Sequence, residues 1–260
     1  NSLLMAIAAV PALRAWILKH ASLHDAHDEV NCILCTVASD VKLLAASPCL
    51  QSIKPATVVS RRRWCPQFAN AQQQDVCDFW TQLANKCDAV DRASYEALCG
   101  HVDDSSAILK TTPYWKRCGS KGYTQTKCLG CGLSVKIFSY EDKLCLSFLP
   151  GQTCQLKDSL QQYFSSERLP PPDRCDDKLC QRVGYRMKLT VTEEWPEVLC
   201  IQLKRWIEST HFSGVYHREN RPMEIPLLLR DFRGGPHFAY RLYSAIIHSG
   251  EARSGHYVTF

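Results

Sequence analysis

The sequence has no hydrophobic run of the length that a transmembrane helix needs, and it has no secretory signal. Residues 3–10 are apolar, but no basic segment precedes them and a helical pattern rather than a cleavage site follows. The 15 cysteines are an odd number and form no even disulfide ladder. We therefore expect a reducing compartment, cytoplasmic or nuclear, with free thiols and metal ligands and no membrane partner.

A strong excess of charge of one sign is also absent. The formal net charge is +5 over 260 residues, and the one dense basic run, at 61–63, is typical of a solvated loop. We expect no nucleic-acid partner. No His/Glu pair has the spacing of a metalloprotease, which disfavours a zinc hydrolase. With 45% hydrophobic and 22% charged residues, the chain has the composition of one large globular domain or two small ones.

The last stretch, residues 240–260, has the pattern of a β-hairpin. Alternating and then continuous apolar residues predict a strand that ends near Ile247, a polar turn over 249–254 and a second strand opened by His256. Gly255 lets another backbone come close. An imidazole held by a sheet and open at a turn suits a catalytic base, although the hairpin alone favours a half-buried structural histidine.

Helical periodicity dominates the first third of the chain. A helix over residues 1–20 is expected to break at Pro11, and an amphipathic helix over 72–87 is expected to be capped near Gln74 or Asp75. Cys32 and Cys35 lie at the start of a third helical pattern. Because no second cysteine pair lies nearby, we expect structural thiols there rather than a zinc site.

Two further cysteine pairs, Cys128/Cys131 and Cys175/Cys180, lie in a β-prone, cysteine-rich region. Four thiolates that arrive as two close pairs are what a tetrahedral zinc site needs. The gap between these pairs is wider than in a compact zinc ribbon, so the spacing alone is only suggestive.

Taken together, five ordered segments resemble the ubiquitin-specific proteases, papain-like cysteine peptidases that cleave ubiquitin conjugates. The segments are NSLLMAIAAVPALR at 1–14, QQDVCDF at 73–79, the two cysteine pairs, WPEVLCIQLKRW at 195–206 and the terminal hairpin. The resemblance covers essentially the whole chain. It implies an α+β, papain-like cysteine peptidase fold with a helical thumb, a β-sheet palm and β-rich, zinc-ribbon-like fingers.

The same resemblance implies a single catalytic domain over 1–260, truncated at both ends. Its thumb would occupy 1–112, its fingers mainly 113–200 and its palm mainly 201–260. His256 would be the general base and acid. The nucleophilic cysteine would stand three residues before Asn1 and an orienting Asp or Asn beyond Phe260, so residues 1–260 alone are expected to be inactive. His248 is expected to be structural or to line a wall.

The substrate-binding residues are likewise implied by the resemblance. Gln74 and Asp75 would line the channel that takes the extended tail of ubiquitin, and Asp78 stands where the family has glutamate. Gly255 and Tyr257 would flank this channel and restrict it to a Gly-Gly terminus.

A structural zinc ion at Cys128, Cys131, Cys175 and Cys180 is also implied, in fingers that cradle ubiquitin. The second pair departs from the family pattern, with four intervening residues where two are usual. The alternatives are fingers that have lost the metal or that use Cys118 instead.

The function that the resemblance implies is cysteine-type deubiquitination, with hydrolysis after the C-terminal Gly-Gly of ubiquitin and with ubiquitin and ubiquitinated proteins as partners. A catalytically inactive, ubiquitin-binding pseudo-protease is the alternative from another class. Specificity for a different ubiquitin-like modifier is the alternative among enzymes.

Overall fold

The computed structural model of the protein contains two compact units. The structure describes residues 2–22, 32–46, 55–68, 75–99, 112–151, 154–208, 216–251 and 254–260. The first unit comprises Asn1–Arg117 and Tyr243–Phe260, and the second comprises Cys118–Leu242. The first is mainly helical and the second mainly β, which confirms the predicted α+β class. The predicted division into thumb, fingers and palm stays a prediction.

The longer helices of the first unit follow the apolar periodicity of the sequence, whereas the basic run at 61–63, predicted as a loop, lies in a four-residue helix. The helices are α1 (Ser2–Ala9), α2 (Pro11–Ala21), α3 (Ile33–Ala46), α4 (Ala56–Val59), α5 (Arg61–Trp64), a 3-10 turn (Pro66–Phe68), α6 (Val76–Cys99) and α7 (Pro113–Cys118). The last of these helices ends at Cys118, the first residue of the second unit.

The predicted break at Pro11 separates α1 from α2. Proline is tolerated at the first position of a helix because its missing N–H would have no helical partner there. Among the described residues, no single helix is long and apolar enough to cross a membrane. The pair α1 and α2 meets the length and composition criteria only when it is joined across a 95° bend.

Helix α3 forms the centre of the first unit. It packs against α1, α2 and α6, and its side chains Leu34, Val37 and Val41 are at most 1% exposed. Beside it, the rings of Trp16 and Tyr114 lie 5.8 Å apart. This apolar burial is the main force that holds the helices together.

A buried carboxylate in α3 organises the next segment of the chain. The backbone N–H groups of Ala56 and Thr57 donate to the two oxygens of Asp40 at 2.6 and 2.8 Å. Asp40 is 2% exposed. The carboxylate thus satisfies amides at the start of α4 that have no helical partner.

Within the described residues, the second unit contains most of the strands together with a helix. They are β1 (Ser120–Cys128), β2 (Ser134–Glu141), β3 (Leu144–Leu146), β4 (Cys154–Gln155), α8 (Leu156–Tyr163), β5 (Glu167–Arg168), β6 (Arg186–Glu194), β7 (Ile201–Leu203), β8 (Trp206–Glu208), β9 (Tyr216–Arg218), β10 (Met223–Glu224), β11 (Leu228–Leu229) and β12 (Tyr240–Arg241).

The largest sheet of this unit has the order β2-β1-β6-β5 and is antiparallel throughout. A separate pair, β3 with β7, is parallel. Strand β7 is shorter than the run 198–203 that the sequence predicts, and its three residues match the three of β3. Leucines of β3 and α8 form the local core with Phe164 and Phe232, against which Trp195 packs.

The terminal hairpin consists of β13 (Ile246–Glu251) and β14 (Ser254–Thr259) and belongs to the first unit. Its ladder continues through the pair Gly250↔Gly255 into the segment that the sequence predicts as a turn. His256 therefore lies inside β14, opposite Ser249, and does not open the strand as predicted.

Replacement of Asp40 tests the buried cap. Asp40→Ala is expected to lower the free energy of unfolding by about 2–4 kcal/mol because two amide donors would lose a charged acceptor. Asp40→Asn, which retains one acceptor oxygen, is expected to cost less. Urea unfolding provides the measurement, and Lys42→Ala, at an exposed position of the same helix, is the control. Equal stability of wild type and Asp40→Ala would contradict the proposed role.

Candidate functional site

Two reciprocal hydrogen bonds join the start of α1 to the strand that carries His256. The Ser2 hydroxyl donates to the carbonyl oxygen of Tyr257 at 2.6 Å. The Thr259 hydroxyl donates to the carbonyl oxygen of Ser2 at 2.7 Å. The amino end of the first helix therefore lies against β14, at the residue next to His256.

The His256 side chain is exposed. Within the described part of the chain it has no hydrogen-bond partner, so its ring nitrogens are accessible to a reacting group. Successive side chains of a strand point to opposite faces, so His256 and Tyr257 face opposite sides of the hairpin. The ladder fixes the backbone of the histidine and leaves its imidazole open.

Tyr257 packs between the hairpin and the start of α6. Its ring lies 4.7 Å from that of His248, its partner across the hairpin. Burial raises the pKa of Tyr257, and the negative charge of Asp75 raises it further, whereas a hydrogen bond from the N–H of Val76 lowers it. These interactions place the phenol at the amino end of α6.

Asp75 has the capping role that the sequence predicts. Its Oδ1 accepts a hydrogen bond from the N–H of Cys77 at 2.6 Å, and α6 begins at Val76. Asp78 lies exposed in the first turn of α6, and its charge also raises the pKa of Tyr257. Gln74 lies outside the described residues.

Gly255 is required by a close approach within the hairpin. A Cβ atom at this position would lie 2.5 Å from Nε2 of His248 and would overlap the carbonyl oxygen of Ser249. The atoms that approach Gly255 most closely therefore belong to the opposite strand of the hairpin, β13. Of the sequence-predicted site residues in this unit, the structure places Asp75 and Asp78 beside Tyr257, which follows Gly255 and His256 in β14.

The four-cysteine cluster consists of Cys128, Cys131, Cys175 and Cys180, and all four sulfur atoms lie within 4.8 Å of one another. The Sγ–Sγ distance is 3.9 Å between Cys128 and Cys180 and 3.5 Å between Cys131 and Cys175. A tetrahedral site with Zn–S bonds of about 2.3 Å places its sulfur atoms about 3.8 Å apart. The donors therefore fit such an ion. Cys118, the predicted substitute, is buried and is absent from the donor groups found among the described residues.

Tight turns at the end of the large sheet hold these sulfurs. Cys128 is the last residue of β1, and the N–H of Gly130 donates to its Sγ at 3.3 Å. Hydrogen bonds from the N–H groups of Cys131 and Gly130 lower the pKa of Cys128 to about 7. Backbone dipoles thus favour the thiolate, which is the form that binds metal.

A second donor group, the His20 cluster, consists of His20, Cys32 and Cys35 and was not predicted from the sequence. Cys32 and Cys35 form a visible CxxC pair. His20 lies 12 positions upstream of Cys32, at a spacing that carries no metal-site signature. Ser2 and Thr259 were also missed, because no local pattern signals a contact between residues at opposite ends of a chain.

The chain matches, over residues 1–260, the family model described as "Ubiquitin carboxyl-terminal hydrolase". It is 24% identical over 218 residues to Ubiquitin carboxyl-terminal hydrolase 36 of Drosophila virilis, covering 79% of this chain and 17% of that protein. It is 25% identical over 274 residues to Ubiquitin carboxyl-terminal hydrolase 25 of Arabidopsis thaliana, covering 100% of this chain and 40% of that protein. The chain therefore spans less than half the length of these two relatives.

Solved structures share the fold. The SAGA DUB module of Ubp8, Sgf11, Sus1 and Sgf73 bound to monoubiquitin matches with a TM-score of 0.76 at 17% identity, covering 100% of this chain and 57% of that chain. The same module bound to ubiquitin aldehyde matches with a TM-score of 0.73 at 19% identity, covering 100% and 58%. The predicted papain-like α+β fold is confirmed.

The raised pKa of Tyr257 predicts how pH affects stability. In the unfolded chain a tyrosine ionises near pH 10, whereas the folded protein holds Tyr257 neutral to higher pH. Its contribution to stability is therefore complete below about pH 10 and is lost as pH rises through the folded-state pKa.

Between about pH 9.5 and 11, Tyr257→Phe is expected to lose stability less steeply than the wild type, as measured by urea unfolding. Tyr243→Phe, at an exposed position, is the control for general alkaline effects. Parallel stability profiles of wild type and Tyr257→Phe would rule out the buried phenol as a source of the pH dependence.

Proposed function

Because the chain belongs to the ubiquitin carboxyl-terminal hydrolase family, we propose that the protein is a cysteine-type deubiquitinase. It hydrolyses isopeptide or peptide bonds after the C-terminal Gly-Gly of ubiquitin. The observation that carries the proposal is the pair of hydrogen bonds that hold Ser2 against the His256 strand. These bonds bring the amino end of a helix, where a thiolate is stabilised, to the neighbour of an exposed imidazole.

The nucleophile in this proposal is a cysteine three residues before Asn1. Such a cysteine precedes Ser2 by four positions, and side chains four positions apart share one helix face. Ser2 faces β14. A helix that begins at this cysteine would therefore direct its sulfur toward the hairpin, about 6 Å along the helix axis from Ser2.

The proposed reaction uses His256 twice. The thiolate attacks the carbonyl carbon of the terminal glycine, the C–N bond breaks, and the imidazolium gives its proton to the leaving amine. The neutral imidazole then takes a proton from water, whose oxygen attacks the thioester. Hydrolysis releases the ubiquitin carboxylate and restores the thiolate and the imidazolium.

The acidic start of α6 supports binding of the extended ubiquitin tail. Asp75 and Asp78 lie beside Tyr257, at the hairpin that carries His256. Carboxylates at this position can pair with arginine side chains and backbone amides of an extended peptide. Gly255 keeps the hairpin compact beside them.

Replacement of the proposed base tests the function in the full-length protein. His256→Ala is expected to lower the rate of ubiquitin release from a ubiquitin–isopeptide substrate by roughly 10²–10⁴-fold, which is the usual contribution of general acid–base catalysis. His237→Ala, at an exposed histidine in the second unit, is the control and is expected to retain the wild-type rate.

A ubiquitin C-terminal electrophile probe gives the second readout. The wild type is expected to be labelled on the proposed cysteine, and a probe built on another ubiquitin-like modifier is expected to react more slowly. Ubiquitin binding without labelling would overturn the hydrolase proposal in favour of an inactive ubiquitin-binding module. Faster labelling by the other modifier would overturn the proposed substrate.

The proposal extends to a structural zinc ion in the four-cysteine cluster. All four donors are sulfur and leave no open position for a water molecule, as in structural rather than catalytic zinc sites. When bound, zinc would join the turn after β1 to the turn at residues 175–181 and would supply no reaction step. The sulfur separations support this assignment.

Removal of one ligand tests the zinc assignment. Cys175→Ser is expected to reduce the zinc content of the full-length protein by about one equivalent and to lower its melting temperature, because the folding free energy of such sites includes metal binding. Cys145→Ser is the control, since Cys145 lies in the same unit outside the cluster. Unchanged zinc content in Cys175→Ser, measured by elemental analysis, would refute the assignment.

A further inference from the structure

The second cysteine pair, Cys175 and Cys180, lies in an irregular hairpin at the end of the large sheet. The arms of this hairpin are joined by an isolated bridge between Arg174 and Val183 rather than by a strand ladder. The N–H of Cys175 donates to the carbonyl oxygen of Arg182 at 3.0 Å. Four residues separate the two cysteines, against two in the first pair. Because a longer turn has more backbone conformations, additional contacts are needed to fix the sulfur positions.

The side chain of Arg186 supplies such contacts. Its Nη1 donates to the carbonyl oxygen of Arg174 at 2.8 Å and to Oδ2 of Asp176 at 3.0 Å. Its Nε lies 3.4 Å from Oδ2 of Asp173, and the side chain is only 18% exposed. These three partners lie on both sides of Cys175 in the chain. One guanidinium therefore holds the segment that carries this sulfur.

The backbone of Arg186 connects the same residue to the first cysteine pair. Arg186 is the first residue of β6 and lies opposite Cys128, the last residue of β1, in the antiparallel ladder. Because the ladder fixes Arg186 relative to Cys128, the guanidinium also fixes Cys175 relative to Cys128. The Sγ atoms of Cys131 and Cys175, 44 positions apart in the sequence, lie 3.5 Å from each other.

The charge of Arg186 suits this position. Four thiolates around a divalent ion leave an excess of negative charge, and the carboxylates of Asp173 and Asp176 add to it. The guanidinium offsets part of this excess through its two ion pairs. Its planar fork also bonds a carboxylate and a backbone carbonyl in fixed directions, which the compact ammonium of a lysine does less well.

We propose that Arg186 is a positioning residue of the four-cysteine site, which allows the longer second pair to complete a tetrahedron of sulfur ligands. The inference rests on the zinc ion proposed above and identifies the side chain that holds its ligands in place. Removal of a group that orients metal ligands typically lowers metal affinity by about 10–100-fold. We expect a loss of that size for Arg186→Gln.

The test measures the zinc affinity of the full-length protein by competition with a chromophoric chelator. The binding that Cys175→Ser abolishes defines the contribution of the four-cysteine site. Arg186→Gln is expected to weaken this contribution by about 10–100-fold, and Arg186→Lys, which keeps the charge, is expected to recover part of the loss. Lys188→Gln is the matched control, expected to retain wild-type affinity, because Lys188 in the same strand pairs with Glu167 at 3.1 Å.

Cobalt(II) absorption and thermal unfolding distinguish positioning from general support of the fold. Cobalt(II) in zinc-stripped Arg186→Gln is expected to give weaker visible bands than in the wild type, because a displaced Cys175 sulfur distorts the tetrahedral ligand field. Equal zinc affinity of wild type and Arg186→Gln would overturn the proposal. So would an equal fall in the melting temperatures of the zinc-loaded and zinc-stripped variant without a change in affinity.

The two assignments fail in different ways. Wild-type protein whose zinc binding is unaffected by Cys175→Ser would refute the zinc site, and the role of Arg186 with it. Zinc that is lost in Cys175→Ser but bound with wild-type affinity in Arg186→Gln would refute the role of Arg186 alone.

Discussion

The contact between Ser2 and β14 is the constraint on which the candidate site depends. It closes the chain over more than 250 residues, and the conformational entropy of such a closure must be offset elsewhere. Burial of the apolar side chains of α3 contributes most of the free energy that offsets this loss of conformational entropy. Leu4 in α1 and Leu34 in α3 are fully buried, so the core fixes α1 and the two hydrogen bonds then fix the hairpin relative to it.

This arrangement holds the backbone of the hairpin in place and leaves a reactive side chain accessible. The backbone of His256 is held by the ladder of β13 and β14, while its side chain remains exposed. Tyr257, on the other face of the same strand, is half-buried against the start of α6. One strand therefore anchors the hairpin through one residue and presents an accessible imidazole through the next, because strand side chains alternate between faces.

The four-cysteine cluster and the His20 cluster both bring metal-binding donor atoms together, but different structural elements position these atoms. In the four-cysteine cluster, β-turns at the end of an antiparallel sheet present the sulfurs, and backbone N–H groups stabilise the thiolate of Cys128. In the His20 cluster, helix packing brings the donors together. Burial alone lowers the pKa of His20, but Asp91 and Cys32 outweigh it and raise the pKa to about 9. Electrostatic partners rather than solvent therefore determine the ionisation of this histidine.

Local patterns in the sequence determined the break at Pro11, the cap at Asp75, the two cysteine pairs and the hairpin around His256. Each of these depends on neighbours within a few positions, where periodicity and capping act. Strand ends were less predictable, because the length of a strand depends on its partner: β7 has three residues since β3 has three. Only tertiary structure decided that Ser2 meets Tyr257 and that His20 meets Cys32. Long-range packing brings these residues together, and no spacing along the chain encodes it.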